Sequence, residues 1–492
     1  MRMHEAPAIL IAALAAWSCG GKGSGPEDAA GEDADEEEEA QDVEEDDGDA
    51  PDAPGPSIRI TSPVGGEVWR GREDHEIRWT STGSIETVDI SLTLDDGSFW
   101  HEMAAGEAND GVYEWTIAEW IDSGLCRVRI MDTAGTAGDQ SGLFSIRPAG
   151  EWTTETIGTI PHSTTENGME IAVGDGRDDG TNRVYVASWE GDLVELTYDT
   201  AGWVSEMVLD GARTLVPVVV GDARDDGTSL VVTGSAYTGA DEVMGFEWTG
   251  AWSSEVVDDA LIQVMSVRIA EGRNDGVNRL YAGAEGGGGL VEYTWDGAGW
   301  LRTVVSATVS ASAFSVEDGR NDGILRIYCP DRATGRGLHE YTWNGAGWED
   351  EIIDLVPDRL SLAVVGPGRS DGTNRVYAAG FDDHLYELTW NGEGWDVLDV
   401  TPEGPESSRF SGSIADVRGD GIVRLYVTTE GGPPVTEIEW HEDHYMVTEV
   451  DAITSATAGA LTTGDGRGDG TERLYVTDHA TGDVYEITWT PL

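Results

Sequence analysis

Short runs of apolar residues alternate with polar residues at a period of two along most of the chain after residue 57, which is typical of half-buried β-strands. Residues 58–60, 88–92 and 183–186 are examples. Gly, Asp and Asn separate the runs at short intervals, where tight turns are expected. The pattern predicts an all-β protein built from many short strands.

Residues 151–492 contain seven copies of one longer pattern. Each copy has an apolar or small-residue run, a loop such as GDGRDDG, an alternating strand, a strand with a motif close to E-(L/Y/I)-T-W, and a last strand that mostly begins at Gly-Trp. Loop position one falls at Asp175, Asp222, Glu271, Asp318, Pro367, Asp416 and Asp465. Four short strands in about 48 residues form one blade of a β-propeller, so the repeat predicts seven blades.

The two ends of this region are complementary. The seventh copy stops at Leu492 without its Gly-Trp strand, and residues 151–157 are an unattached copy of that strand. An N-terminal strand that completes the last blade would remove the exposed edge of an open sheet. We therefore expect a seven-bladed β-propeller closed by an N-terminal strand in the last blade.

Charged residues recur at fixed positions of the repeat, and a residue that every blade carries is most simply one that every blade needs in order to fold. Arg occupies loop position three at Arg177, Arg224, Arg273, Arg320, Arg369, Arg418 and Arg467. Asp occupies loop position five at Asp179, Asp226, Asp275, Asp322, Asp371, Asp420 and Asp469. A second Arg begins the next strand at Arg183, Arg279, Arg326, Arg375, Arg424 and Arg473. Glu recurs in the third strand at Glu195, Glu247, Glu292, Glu340, Glu387, Glu437 and Glu486.

The loop resembles the calcium loop of FG-GAP and integrin-α-type propellers, in which D-x-D-x-D-G supplies oxygen ligands. Here Arg stands at two positions that would give oxygens, and calcium needs six to eight of them. The pattern therefore predicts loop ion pairs, with each Arg forked onto loop carboxylates such as Asp175 and Asp179. Calcium binding stays open as the alternative. The second repeat has Leu230 and Val232 in place of the Arg and Tyr, so its blade should be the least regular.

Paired aromatic residues also repeat, as at Trp343 and Trp348 or Trp390 and Trp395. Such pairs can stack on sugar rings or pack between blades. Because they follow the repeat, we expect packing between blades, with sugar stacking open for exposed members.

Residues 57–148 form a different region, with alternating strands and turns every 8–12 residues, as expected of a β-sandwich. The stretch ITSPVGGEVWRGREDHEIRWTSTG, followed by LTLDDGSFW and NDGVYEWTI, resembles the Ser/Thr-rich GPI-anchored domain of the yeast cell-wall-synthesis type. That resemblance implies an immunoglobulin-like β-sandwich that acts as a spacer or adhesion module.

The first 56 residues are expected to direct export of the protein and to anchor it. Residues 6–17 are apolar but would span only about 18 Å as a helix, too short to cross a membrane, and this is typical of a signal peptide. Residues 16–19 (AWSC) resemble a bacterial lipobox, which implies lipidation of Cys19 after cleavage of residues 1–19. Residues 20–56 include sixteen carboxylates between positions 27 and 52, so we expect a disordered acidic linker. The resemblance is to a bacterial surface lipoprotein, at the outer membrane or cell surface.

Composition and motifs narrow the function. The 492 residues carry a formal net charge of −65, which disfavours nucleic acid as a partner. The sequence has no G-x-S-x-G elbow, phosphate-binding loop or zinc-protease motif in a fitting context. We therefore expect a non-catalytic, monomeric protein without a cofactor, which binds an extracellular glycan or protein.

The ligand is expected on loops that do not repeat, because those vary in length and chemistry while the framework does not. These loops join the second and third strands of a blade, and their candidate ligand residues are Tyr237, Arg332, Arg336, Asp383 and His384. Two alternatives remain: a polysaccharide lyase or glycosidase with its site at one propeller mouth, and a calcium-binding adhesion protein.

Overall fold

A computed structural model describes residues 55–118, 121–160, 169–211, 214–236, 241–286, 288–332, 337–353, 359–380, 384–400, 410–429, 435–441, 444–450 and 458–492. The chain divides into two compact units, residues 1–149 and 150–492. Every regular element in the described ranges is a β-strand. In these ranges, no helix has the length and apolar character needed to cross a membrane.

The first unit contains two sheets around one apolar core. Its strands are β1 (Ser57–Ser62), β2 (Val68–Arg70), β3 (Asp74–Thr82), β4 (Thr87–Thr93), β5 (His101–Ala108), β6 (Val112–Thr116), β7 (Ser123–Asp132), β8 (Gly138–Gln140) and β9 (Phe144–Arg147). One sheet has the order β1-β3-β6 and the other β2-β9-β7-β4-β5, with β8 paired to β7. Alternate residues of both sheets, such as Ile58, Trp79, Ile90 and Val128, form the core.

The second unit begins with β10 (Gly150–Thr159) and continues in groups of short strands. The following strands are β11 (Met169–Gly174), β12 (Arg183–Ser188), β13 (Leu193–Asp199), β14 (Gly202–Leu209), β15 (Leu215–Gly221), β16 (Leu230–Ser235), β17 (Val243–Trp248), β18 (Trp252–Asp258), β19 (Val264–Ala270), β20 (Arg279–Ala284), β21 (Gly289–Trp295), β22 (Trp300–Ser306), β23 (Ser315–Glu317), β24 (Arg326–Pro330), β25 (Leu338–Trp343), β26 (Trp348–Ile353), β27 (Leu360–Gly366), β28 (Arg375–Gly380), β29 (Leu385–Trp390), β30 (Trp395–Asp399), β31 (Phe410–Ala415), β32 (Arg424–Thr429), β33 (Thr436–His441), β34 (His444–Glu449), β35 (Ala458–Gly464), β36 (Arg473–Asp478) and β37 (Asp483–Pro491).

These strands form seven four-stranded antiparallel sheets within the described residues. Six sheets take four consecutive strands, from β11-β12-β13-β14 to β31-β32-β33-β34, and the remaining sheet has the order β10-β37-β36-β35. The first strand of each sheet contacts the first strand of the next, and β35 contacts β11. The second unit is therefore a multi-bladed β-propeller, with its first strands around a central channel.

The chain direction gives the propeller two different rims. The seven repeated loops follow the first strands and lie at one end of the sheets, which we call the repeat rim. The turns between second and third strands and the connections between sheets lie at the other end, which we call the variable rim. Bulky apolar residues fill the space between neighbouring sheets.

Candidate functional site

Six of the seven repeated loops are closed by the carboxylate at loop position one, and the fifth has Pro367 there. Asp175 Oδ1 accepts the amide hydrogen of Asp179 at 3.2 Å, and its Oδ2 accepts that of Gly180 at 2.6 Å. Position four of the loop has a left-handed backbone, with φ of 55° at Asp178. Asp, Asn, Ser or Gly stands there in all seven copies, and these residue types tolerate that conformation best.

The second repeated Arg lies on the loop. Arg183 donates from Nη1 and Nη2 to the two oxygens of Asp179, at 2.9 and 2.6 Å. These hydrogen bonds are the main reason that the pKa of Asp179 falls to about 2. The same fork joins Arg279 to Asp275, Arg326 to Asp322, Arg375 to Asp371, Arg424 to Asp420 and Arg473 to Asp469.

The Arg at loop position three differs from the expectation, because it contacts a strand rather than the loop carboxylates. Arg177 Nε donates to Glu195 Oε2 at 2.9 Å, and its Nη2 also contacts this carboxylate. Tyr185 pairs with Glu195 in the strand register and donates to it at 3.0 Å. The corresponding pairs are Arg224 with Glu247, Arg273 with Glu292, Arg320 with Glu340, Arg369 with Glu387, Arg418 with Glu437 and Arg467 with Glu486.

The other face of this Arg contacts the next sheet. The guanidinium carbon of Arg177 lies 3.7 Å from the centre of the Trp248 ring. The same cation–π contact joins Arg224 to Trp295, Arg273 to Trp343, Arg320 to Trp390, Arg369 to Trp440, Arg418 to Trp489 and Arg467 to Tyr198. We call this set of seven Arg, seven Glu and seven aromatic residues the inter-sheet clamp. It uses one member of each aromatic pair for packing between sheets.

The second sheet has the weakest version of the clamp. Glu247 is 29 % exposed, whereas Glu195 is 1 % exposed. Val232 replaces the Tyr that donates to this Glu in the first sheet, and Leu230 replaces the Arg that forks onto the loop. The irregularity expected from the sequence therefore has a direct structural counterpart.

The loop residues do not fit a calcium ion. Backbone amides take the oxygens of Asp175, and the Arg183 guanidinium takes those of Asp179. A fixed positive charge beside these oxygens opposes a divalent cation. No group of three His, Cys, Asp or Glu side chains in the described ranges is arranged to hold a metal.

The variable rim carries polar side chains that do not repeat. Arg332, a predicted ligand residue, forms an ion pair with Glu285 of the preceding sheet. His384, also predicted, lies with Nδ1 2.9 Å from Asp399 Oδ2. The structure thus places each of them against a carboxylate at this rim. Cys19, Tyr237, Arg336 and Asp383 lie outside the described residues.

Two charged residues inside the channel were missed by the sequence reasoning. Glu170 on β11 and Arg268 on β19 stand on first strands whose other residues are apolar, small or hydroxyl-bearing in most sheets. Each favours the charged form of the other, since Arg268 acts to lower the pKa of Glu170 and Glu170 acts to raise that of Arg268. The available signal was a charged residue on a first strand, which occurs in β11, β19 and β23.

A buried Cys–His–Asp group on the fourth sheet offers no access to a substrate. Cys329 and His339 are opposite each other in the register of β24 and β25, and Asp331 Oδ2 lies 3.7 Å from His339 Nε2. All three are at most 4 % exposed. Burial raises the pKa of the Cys329 thiol, which keeps it protonated and unreactive.

Comparisons with known proteins found fold-level similarity alone. No family model and no curated protein matches the chain. The solved structure of AofleA from Arthrobotrys oligospora is 17 % identical, covers 61 % of this chain and 90 % of its own, and has a TM-score of 0.38. YCF48 from Cyanidioschyzon merolae is 12 % identical over 68 % of this chain and 98 % of its own, with a TM-score of 0.47. The fucose-specific lectin from Aleuria aurantia is 15 % identical over 61 % of this chain and 100 % of its own, with a TM-score of 0.36.

Proposed function

We propose that this protein is a non-catalytic glycan-binding protein that presents the variable rim of a closed seven-bladed β-propeller to its ligand. One observation carries the proposal. The charged residues that repeat form ion pairs within the propeller framework, whereas the variable rim has polar and aromatic side chains that occur once each. Arg332, Glu285, His384 and Trp189 are among them. The ring centre of His384 lies 5.9 Å from that of Tyr386, and planar polar groups beside an aromatic ring are suited to hydroxyl-rich ligands.

The seven inter-sheet clamps support a complete ring of seven blades. The first unit, with two sheets around one core, is consistent with an immunoglobulin-like sandwich that acts as a spacer. The loops would then be FG-GAP-like in sequence but held by Arg in place of calcium. Anchoring through a lipid on Cys19 at the outer membrane or cell surface completes the proposal.

A glycan array tests the binding function. The full chain is compared with Arg332→Ala and His384→Ala on the variable rim, and with Glu393→Ala, an exposed residue on the repeat rim. We expect each variable-rim variant to weaken binding by at least about tenfold while Glu393→Ala binds normally. The absence of any bound glycan, or equal binding by all four proteins, would refute the proposal. If the chain captures a protein instead of a glycan, the proposed ligand class is wrong.

Labelling with radioactive palmitate tests the anchor separately. Wild-type protein should incorporate the label and sediment with membranes, and Cys19→Ala should do neither. A wild-type chain that remains unlabelled contradicts the lipid anchor without affecting the glycan proposal.

A further inference from the structure

The central channel contains two opposite charges on first strands that are not neighbours. Glu170 stands on β11 and Arg268 on β19, with β15 between them in the ring. Met169 and Ile171 on either side of Glu170 belong to an apolar core cluster. Since successive side chains of a strand point to opposite faces, Glu170 points away from that cluster.

Among the residues that the structure describes, neither charge forms a direct ion pair. In the described part of the chain, no hydrogen-bond donor reaches the carboxylate of Glu170. Arg268 donates one hydrogen bond there, from Nη1 to the Val267 carbonyl at 2.8 Å. Its guanidinium carbon lies 5.9 Å from the centre of the Phe314 ring. A guanidinium has five N–H groups, so one hydrogen bond uses only a small part of its donor capacity.

Glu170 and Arg268 are half-buried, and two incompletely paired charges in such a place are less well solvated than they would be in water. Burial raises the pKa of Glu170 to about 7, against the opposing effect of Arg268. Burial also lowers the pKa of Arg268. Desolvation of the two charges therefore destabilises the folded protein, and a ligand with complementary charges would offset this effect.

We propose that the channel is a second binding site, for a small zwitterion of the α-amino-acid type, with its ammonium group on Glu170 and its carboxylate on Arg268. A carboxylate fits the fork of a guanidinium through two parallel hydrogen bonds. The net charge of −65 favours a neutral zwitterion over a purely anionic ligand. This site is separate from the proposed glycan site on the variable rim.

Calorimetry with the full chain at pH 7 tests this site. The probes are free α-amino acids, their N-acetyl derivatives, which lack the ammonium group, and their amides, which lack the carboxylate. We expect at least one free amino acid to bind and its two derivatives to bind at least about tenfold more weakly. Titrations in buffers of different ionisation enthalpy should show release of about half a proton per ligand, because the ammonium group ionises a half-protonated Glu170.

The variants Glu170→Gln and Arg268→Gln should each weaken binding by at least about tenfold. Glu317→Gln is the matched control, since Glu317 ends the first strand β23 and is exposed, and it should bind normally. Thermal unfolding of each variant checks that it folds. The proposal is overturned if no free amino acid binds the wild type, if N-acetyl derivatives bind equally well, or if folded Glu170→Gln retains full affinity. Loss of glycan binding with intact amino-acid binding would refute the proposed function alone.

Discussion

The guanidinium carbon of Arg467 lies 4.2 Å from the centre of the Tyr198 ring, and this contact joins the last sheet of the propeller to the first. Arg467 also contacts the buried Glu486 of its own sheet. The contact repeats the one that joins each earlier sheet to the next, with Tyr in place of Trp. Equivalent Arg–aromatic contacts therefore join each sheet to the next around the whole ring.

The inter-sheet clamp predicts that two carboxylates in contact with Arg177 contribute very differently to the free energy of unfolding. Glu195 is 1 % exposed, whereas Glu206 is 49 % exposed with Oε2 2.7 Å from Arg177 Nη2. Glu195→Gln leaves the half-buried Arg177 with only the exposed Glu206 as its counter-charge and should lower the free energy of unfolding by about 3 kcal/mol. Glu206→Gln should lower it by less than about 1 kcal/mol. Urea unfolding measures both, and equal effects would contradict the clamp.

The pairing of β10 with β37 predicts that the closing strand prevents self-association. β10 pairs along the length of β37, from Gly150 opposite Pro491 to Thr159 opposite Asp483. A chain that starts at Ile160 leaves the β37 edge open and should self-associate with rising concentration. A chain that starts at Gly150 is the control and should stay monomeric in analytical ultracentrifugation. If the chains that start at Ile160 and at Gly150 are both monomeric and equally stable, β10 does not close the propeller.

The forked Arg–Asp pairs predict a loss of stability in acid. The pKa of Asp179 is lowered to about 2 by Arg183, below its value of about 3.9 in an unfolded chain. The Arg183–Asp179 pair therefore stabilises the folded protein fully above pH 4, and this stabilisation is lost as the pH falls through about 2. Asp179→Asn should lower the melting temperature at pH 7 and flatten its pH dependence below pH 4. The exposed Glu393→Gln should leave that pH dependence unchanged.

Loop position four predicts a stabilising substitution. Asn374 N–H donates to Asn321 Oδ1 of the preceding loop at 2.7 Å, but Gly468 offers no side chain to the equivalent amide of Asn182. Gly468 has a φ of 67°, and an added Cβ would meet no atom within 4 Å. Gly468→Asn should therefore raise the free energy of unfolding by about 0.5–1 kcal/mol. Gly468→Ala lacks the acceptor and should lower it by about 1 kcal/mol because of backbone strain.

The occupation of the loop oxygens by protein donors predicts that calcium does not stabilise the propeller. The melting temperature should change by less than about 1 °C between excess EDTA and millimolar calcium, because a ligand that does not bind the native state does not shift unfolding. A parallel titration with magnesium separates specific binding from ionic strength. If calcium but not magnesium raises the melting temperature by several degrees, the repeated loops bind calcium, which is the alternative that the sequence left open.

Local signals in the sequence determined the elements of this protein. The period-two alternation, the loop motif and its spacing predicted four strands for each repeat, and the missing last strand at Leu492 predicted the pairing of β10 with β37. These features are readable because strand periodicity and turn chemistry depend on residues close together in the chain.

Only the tertiary structure decided which distant groups meet. Arg177 lies two residues after Asp175 in the chain, yet it contacts Glu195 and Trp248, because sheet twist and packing set the direction of its side chain. Glu170 and Arg268 are 98 positions apart in the sequence, and they share one channel only because the sheets close into a ring. Sequence spacing carries no information about such contacts, since they depend on how whole sheets are arranged.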